Sequence, residues 1–135
     1  MSHYQAITTQ MKDKASLVKA LIKMGFKEDQ IETHEQATNL YGYQGDKRDN
    51  TAEVIIRRKN VGSASNDMGF KKQEDGTYKA IISDYDHGKY GKSWQKKLET
   101  QYGVERAKVA FTANGWQYTE KKDAKGRIQL VGTHI

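Results

Sequence analysis

The sequence predicts an α+β fold: a mostly antiparallel sheet with two or three helices packed on one face, formed as a single domain over residues 1–135. Three observations carry this expectation. Two stretches place apolar side chains at helical spacing, Leu17, Val18, Leu21 and Met24 in the first, Val104, Ala107, Ala110 and Phe111 in the second. Between them lie a β-branched run, Val54-Ile55-Ile56, and turn residues of the kind that join antiparallel strands. The length of 135 residues suits one hydrophobic core, and the chain has no proline to mark a rigid linker.

Taken in order, residues 1–11 alternate polar and apolar side chains as a strand does. Asp13 then offers a side-chain cap to the first helix, which Gly25 can end in a left-handed turn. Residues 31–40 predict a short strand and a loop, and residues 41–50 (YGYQGDKRDN) an exposed, turn-rich segment. Residues 52–58 read as a central strand, and residues 61–67 are small and polar. Residues 68–72 and 77–83 flank Glu74-Asp75-Gly76 as the two arms of a hairpin. Residues 84–92 (DYDHGKYGK) form a second glycine-punctuated loop, after which Ser93 is placed to cap a helix that begins at Trp94, carries Leu98 and Tyr102, and is interrupted at Gly103. The helical pattern resumes to Gly115, and a last hairpin pairs residues 116–121 with 127–133.

Lysine and arginine number 23 against 17 aspartates and glutamates, a net charge of +6 that favours encounters with nucleic acid, nucleotides or acidic proteins. The chain has no cysteine, so disulfides and thiolate chemistry are excluded and a reducing, cytoplasmic setting is expected, the host cytoplasm if the gene is a phage's. No apolar run approaches the roughly 20 residues that span a bilayer, and the first residues lack the pattern of an export signal, so no membrane association is expected.

The four histidines, His3, His34, His87 and His134, include no pair at the i, i+4 spacing that puts two zinc ligands on one helical face. Phosphate-loop, dinucleotide and nucleophile-elbow patterns are absent. Asp84, Asp86 and His87 could supply an acid, a base or metal ligands, but adjacent carboxylates in a glycine-rich loop are commonly turn formers. The expectation is therefore a protein without catalytic residues, metal or cofactor.

Two loops carry a different chemistry. In residues 41–48, Gly42 and Gly45 free the backbone, Tyr41 and Tyr43 offer rings for stacking, Gln44 adds an amide, and Lys47 and Arg48 supply phosphate donors. Residues 85–94 repeat the kit with His87, Gly88, Lys89, Tyr90, Gly91, Lys92 and Trp94, while Arg57, Arg58 and Lys59 add charge at the end of the predicted central strand. Taken singly, tyrosines over a sheet edge and solvated lysines would look the same. The functional reading requires the two loops to converge into one basic aromatic pocket.

The opening Met1-Ser2-His3-Tyr4, Gly25-Phe26, Gly42-Tyr43-Gln44-Gly45, Asp67-Met68-Gly69-Phe70, Gln101-Tyr102, Gly115-Trp116 and the closing Gly126-Arg127-Ile128-Gln129-Leu130-Val131 together resemble, in order and over nearly the whole chain, the hypothetical chloroplast reading frame thirty-five family. That is a domain of unknown function found in plastids, cyanobacteria, other bacteria and many phages. The resemblance implies a stand-alone α+β protein with no assigned catalytic residue. Bacterial genes of the family often neighbour an AAA-type ATPase, which implies an accessory role. Departures at residues 61–66 and 84–92 look like a phage or bacterial branch rather than the plastid one.

The expected function is non-enzymatic binding of a phosphate-bearing ligand, a nucleotide or cyclic oligonucleotide signal, a binding that in a phage would sequester a host defence signal. The alternatives are an adaptor for an ATPase partner and a sequence-independent binder of single-stranded nucleic acid. A homo-oligomer is compatible with each, since small binding proteins often build sites between subunits.

Overall fold

The computed structural model describes residues 3–134; Met1 and Ser2 of the expected first strand lie outside the described residues. The elements run β1 (Tyr4–Thr8), α1 (Lys14–Lys23), a single 3-10 turn (Glu28–Gln30), β2 (Glu32–Tyr41), β3 (Lys47–Ile56), α2 (Arg58–Val61), β4 (Met68–Lys72), β5 (Tyr78–Ser83), α3 (His87–Tyr90), α4 (Lys92–Ala113), β6 (Trp116–Lys122) and β7 (Ile128–His134). The first five strands form one sheet in the order β1-β5-β4-β3-β2, every pair antiparallel. β6 and β7 form a separate two-stranded sheet. The fold is α+β.

Helix α1 forms where the spacing predicts. The Asp13 carboxylate accepts the Ser16 backbone N–H at 3.0 Å, satisfying one of the donors a helix start leaves unpaired. Leu17, Ala20 and Leu21 then turn inward. They meet Val54, Ile56, Phe70, Ala80 and Ile82, which alternate along β3, β4 and β5 and so share one face of the sheet. Leu98 of α4 completes this core, with Trp94 and Tyr102 packed against it.

A second, smaller core lies on the opposite face: Leu40, Ala52, Ile55 and Ile81, with Tyr4 against them. Full burial of a leucine or isoleucine is worth roughly 2 kcal/mol, so three of them contribute an amount comparable to a small domain's whole net stability. The cover for this face comes from the β2–β3 hairpin. Its register runs Glu32↔Ile55 and Thr33↔Val54, shifts, and resumes at Thr38↔Ala52. Such a bulge bends a strand. The distal hairpin accordingly reaches β1 at the far edge of the sheet: the Tyr4 hydroxyl lies 3.4 Å from the Tyr41 carbonyl, and the Arg48 guanidinium stands 5.1 Å from the Tyr4 ring centroid. Gly69 permits this closure, since a Cβ there would stand 2.6 Å from the Ala52 methyl and 3.1 Å from Leu40.

Several expectations change. Residues 31–40 are not a short strand and a loop: β2 is ten residues long. Its sequence, ETHEQATNLY, buries only Leu40 and so lacks the alternation that marks a strand. The turn after it spans only residues 42–46, and Lys47 and Arg48 already belong to β3. The second loop contains the helical turn α3. Ser93 caps nothing, because α4 starts one residue earlier, with Gly91 as its cap residue and no side-chain cap bond. Gly103 does not interrupt α4, which is continuous over 22 residues. A glycine costs a helix interior about 1 kcal/mol, too little to break one already packed through Leu98 and Tyr102.

Beyond Glu105 no described residue is buried. The β6–β7 hairpin rests on the second half of α4, with Phe111 6.1 Å from both the Trp116 and Tyr118 ring centroids and Lys108 bridging Glu105 and Glu120.

Candidate functional site

The register that pairs Ile56 with Met68 ends one step before Arg57 and Asp67, so these two residues face each other just beyond the sheet. Asp67 is buried, and its carboxylate is fully engaged. Oδ2 accepts the Tyr41 N–H at 2.7 Å and the Arg57 guanidinium at 2.8 Å, while Oδ1 accepts the Arg58 N–H at 2.7 Å. Arg57 also donates to both oxygens of Glu32, at 2.7 and 2.9 Å, and to the Asn39 carbonyl at 3.1 Å. The hydrogen bonds from Arg57 hold the Glu32 carboxyl below the usual glutamate range, against the opposing effect of partial burial and with further help from His34. The same bonds to Glu32 push the guanidinium up, leaving it permanently charged.

Above this frame opens a cleft of about 450 Å³ lined by Tyr41, Gly45, Arg57, Arg58, Lys59 and Asp67. Arg57 crosses the Tyr41 ring at 5.9 Å from its centroid. Arg58 is tied to the hairpin turn by one hydrogen bond, from Nη1 to the Tyr43 carbonyl at 2.9 Å. Gly45 closes that turn at a φ of 79°, a conformation that other residues rarely adopt. Arg58 and Lys59 are exposed and face no carboxylate at ion-pair distance among the described residues, so their charge is not neutralised there.

The other expected site residues go to different places. Tyr43, Gln44 and Lys47 are exposed on or beside the turn, adjoining the cleft. Arg48 folds back over Tyr4 and lies within 3.7 Å of Asp46. Lys89 and Lys92 are exposed on α3 and at the start of α4, and His87 opens α3 with its Nε2 buried and unpaired. Tyr90 is a core residue: its ring is 4% exposed, its hydroxyl donates to the Val61 carbonyl at 3.0 Å, and it lies edge-on to Trp94, 5.0 Å between centroids. Tyr90 presents no free face for stacking, Trp94 is half-buried against the same core, and no residue of the second loop lines the cleft.

The two loops are nevertheless joined. Asn66, fully buried, accepts the Tyr43 N–H at 2.9 Å, donates its amide to the Ser83 hydroxyl at 2.9 Å, and donates its backbone N–H to Asp86 at 3.1 Å. Ser83 in turn donates to Asp86 at 2.7 Å. Sequence reasoning gave Asp67, Asn66 and Tyr4 no part in the site and weighed Asp86 only for chemistry, not for joining the loops. The available signal for Asp67 was positional: an acid one step outside β4, opposite an arginine one step outside β3. Chemically, the cleft pairs a neutralised floor with two unneutralised cations and an aromatic wall, an arrangement suited to holding an anion.

No curated protein and no solved structure matches the chain. One family's sequence model matches residues 20–131, and the chain therefore belongs to the family described as protein of unknown function (DUF1257).

Proposed function

We propose that the protein is a non-enzymatic binder of a small phosphate-bearing ligand, a nucleotide or cyclic oligonucleotide by class, taken up in the cleft between the β2–β3 turn and α2. The observation that carries this is the pair Arg58 and Lys59, exposed in the cleft that Tyr41 also lines, with no carboxylate among the described residues at ion-pair distance. A volume of about 450 Å³ suits a ligand of that size. In this reading Arg58 and Lys59 hold phosphate oxygens, and Tyr41 and Tyr43 stack on the base, with Gln44 and Lys47 at the rim. Arg57 keeps Arg58 and Tyr41 in place. In a phage-borne member of the family, such a protein would sequester a signalling nucleotide.

Isothermal titration calorimetry against inorganic phosphate and a panel of linear and cyclic nucleotides tests it. Binding by one class, weakened at least tenfold in the double variant Arg58→Ala/Lys59→Ala, is expected. A silent panel, or binding that the double variant retains, would sink the reading.

A further inference from the structure

The stretch after Glu105, in which no described residue is buried, holds four of the eight exposed large hydrophobic side chains among the described residues: Val109, Trp116, Tyr118 and Val131. Two of these belong to a groove of about 600 Å³ between α1, α4 and β6. Val109, Thr112, Ala113 and Tyr118 line it beside Lys19, Lys23, Lys108 and the Glu105 carboxylate. Lys108 is occupied by Glu105 and Glu120, at 3.1 and 3.3 Å. Lys19 and Lys23 stand one helical turn apart on α1 and make no hydrogen bond or ion pair among the described residues. The cleft of the proposed function is lined by none of these residues.

From this groove we infer a docking site for a partner protein that presents an acidic segment studded with apolar side chains. The occupant's chemistry follows from the groove's. Apolar lining that water covers at a cost calls for leucine- or phenylalanine-like anchors. Two unpaired lysines beside it call for carboxylates flanking those anchors. A second copy of this chain meets the requirement poorly, because a two-fold contact through this face would set Lys19 and Lys23 near their own counterparts in a chain already at +6. The hairpin gains from such a partner as well, since a two-stranded sheet in which no described residue is buried is marginal in water.

Selection of random sixteen-residue peptides displayed on phage, against the full chain and against Lys19→Glu/Lys23→Glu, tests the assignment. Both substitutions lie at exposed positions, and circular dichroism checks that the variant is folded. Enriched sequences should combine aspartate or glutamate with leucine or phenylalanine. As synthetic peptides in fluorescence anisotropy, they should lose at least tenfold in affinity for the lysine variant and for Tyr118→Ser, and none for Arg58→Ala. Absence of enrichment, convergence on neutral or basic peptides, or equal binding to the lysine variant overturns the inference. A dimer in sedimentation velocity that Tyr118→Ser dissolves overturns it too, by giving the face to a second copy.

Discussion

Arg48, near the start of β3, lies over the ring of Tyr4 on β1, two strands that β4 and β5 separate in the sheet. The contact exists because the bulged hairpin crosses the second face, and the Tyr4 hydroxyl fastens it through Asp67, donating to the Asp67 carbonyl at 2.7 Å while the Asp67 carboxylate accepts the Tyr41 N–H of the hairpin at 2.7 Å. Burial, and then the nearby Asp67 carboxylate, push the phenol above the usual tyrosine range, so it stays a donor across neutral pH. Tyr4→Phe should lower stability by about 1 kcal/mol through the lost hydrogen bond. Tyr4→Ala, which also uncovers Leu40 and Ile81, should cost roughly 3 kcal/mol or more. Urea denaturation followed by tryptophan fluorescence checks both, and equal losses would contradict this account.

Arg57 neutralises the most deeply buried acid of the site. Arg57→Ala leaves Asp67 without its cation and should destabilise the protein by about 3 kcal/mol. Arg57→Lys should recover only part of that, because an ammonium cannot reproduce the two-pronged contact with Glu32 while also reaching Asp67. The double variant Arg57→Leu/Asp67→Leu should lose less than the two single changes summed, which thermal melts of the four proteins would show.

Acid should weaken the same frame. Glu32 titrates below its ordinary value in the folded chain, so its ionised form is the one the fold favours. That contribution is complete above the ordinary glutamate value of about 4.3 and fades as pH falls through the lower folded value. Between about pH 5 and about pH 3 the urea midpoint of the unaltered chain should therefore fall more steeply than that of Glu32→Gln. Parallel curves would remove Glu32 from the explanation.

Gly69 is where the hairpin comes closest to the sheet. Gly69→Ala should cost about 1–3 kcal/mol, since the added methyl must displace Ala52 or Leu40. A second change, Ala52→Gly, should restore part of the loss by making room for it.

Hydrogen exchange should divide the chain at Glu105. Amides of β3, β4 and β5, buried between two cores, should exchange only with global unfolding. Those of β6 and β7 should exchange orders of magnitude faster, since no described residue there is buried. Uniform protection would show that the C-terminal hairpin is held more firmly than its exposure implies.

The sequence announced those elements whose cores are local. Asp13 and the Leu17-to-Met24 spacing marked α1, Val54-Ile55-Ile56 marked the inner strand, and Glu74-Asp75-Gly76 marked the β4–β5 hairpin. It concealed β2, whose polar side chains hide a strand held by backbone pairing and one leucine. Of the residues expected to share one pocket, Tyr41, Arg57 and Arg58 line the same cleft. Tyr90 and Trp94 looked like the same chemistry, but α3 turns Tyr90 inward and the pair completes the helical core. Composition cannot separate a tyrosine that stacks on a ligand from one that packs on a tryptophan; the direction of one helical turn decides it.

The bond between Tyr4 and Asp67 joins residues 63 apart in the chain, so the second face can close only after most of the sheet has been assembled. Folding should then end with the hairpin settling across the strands, and the earliest opening should reverse that step. What such an opening releases is more than a loop. It bares Leu40, Ile55 and Ile81 beside a loosened edge strand, a combination that invites pairing with another chain. The clasp at Tyr4 is therefore a guard against aggregation as much as a source of stability.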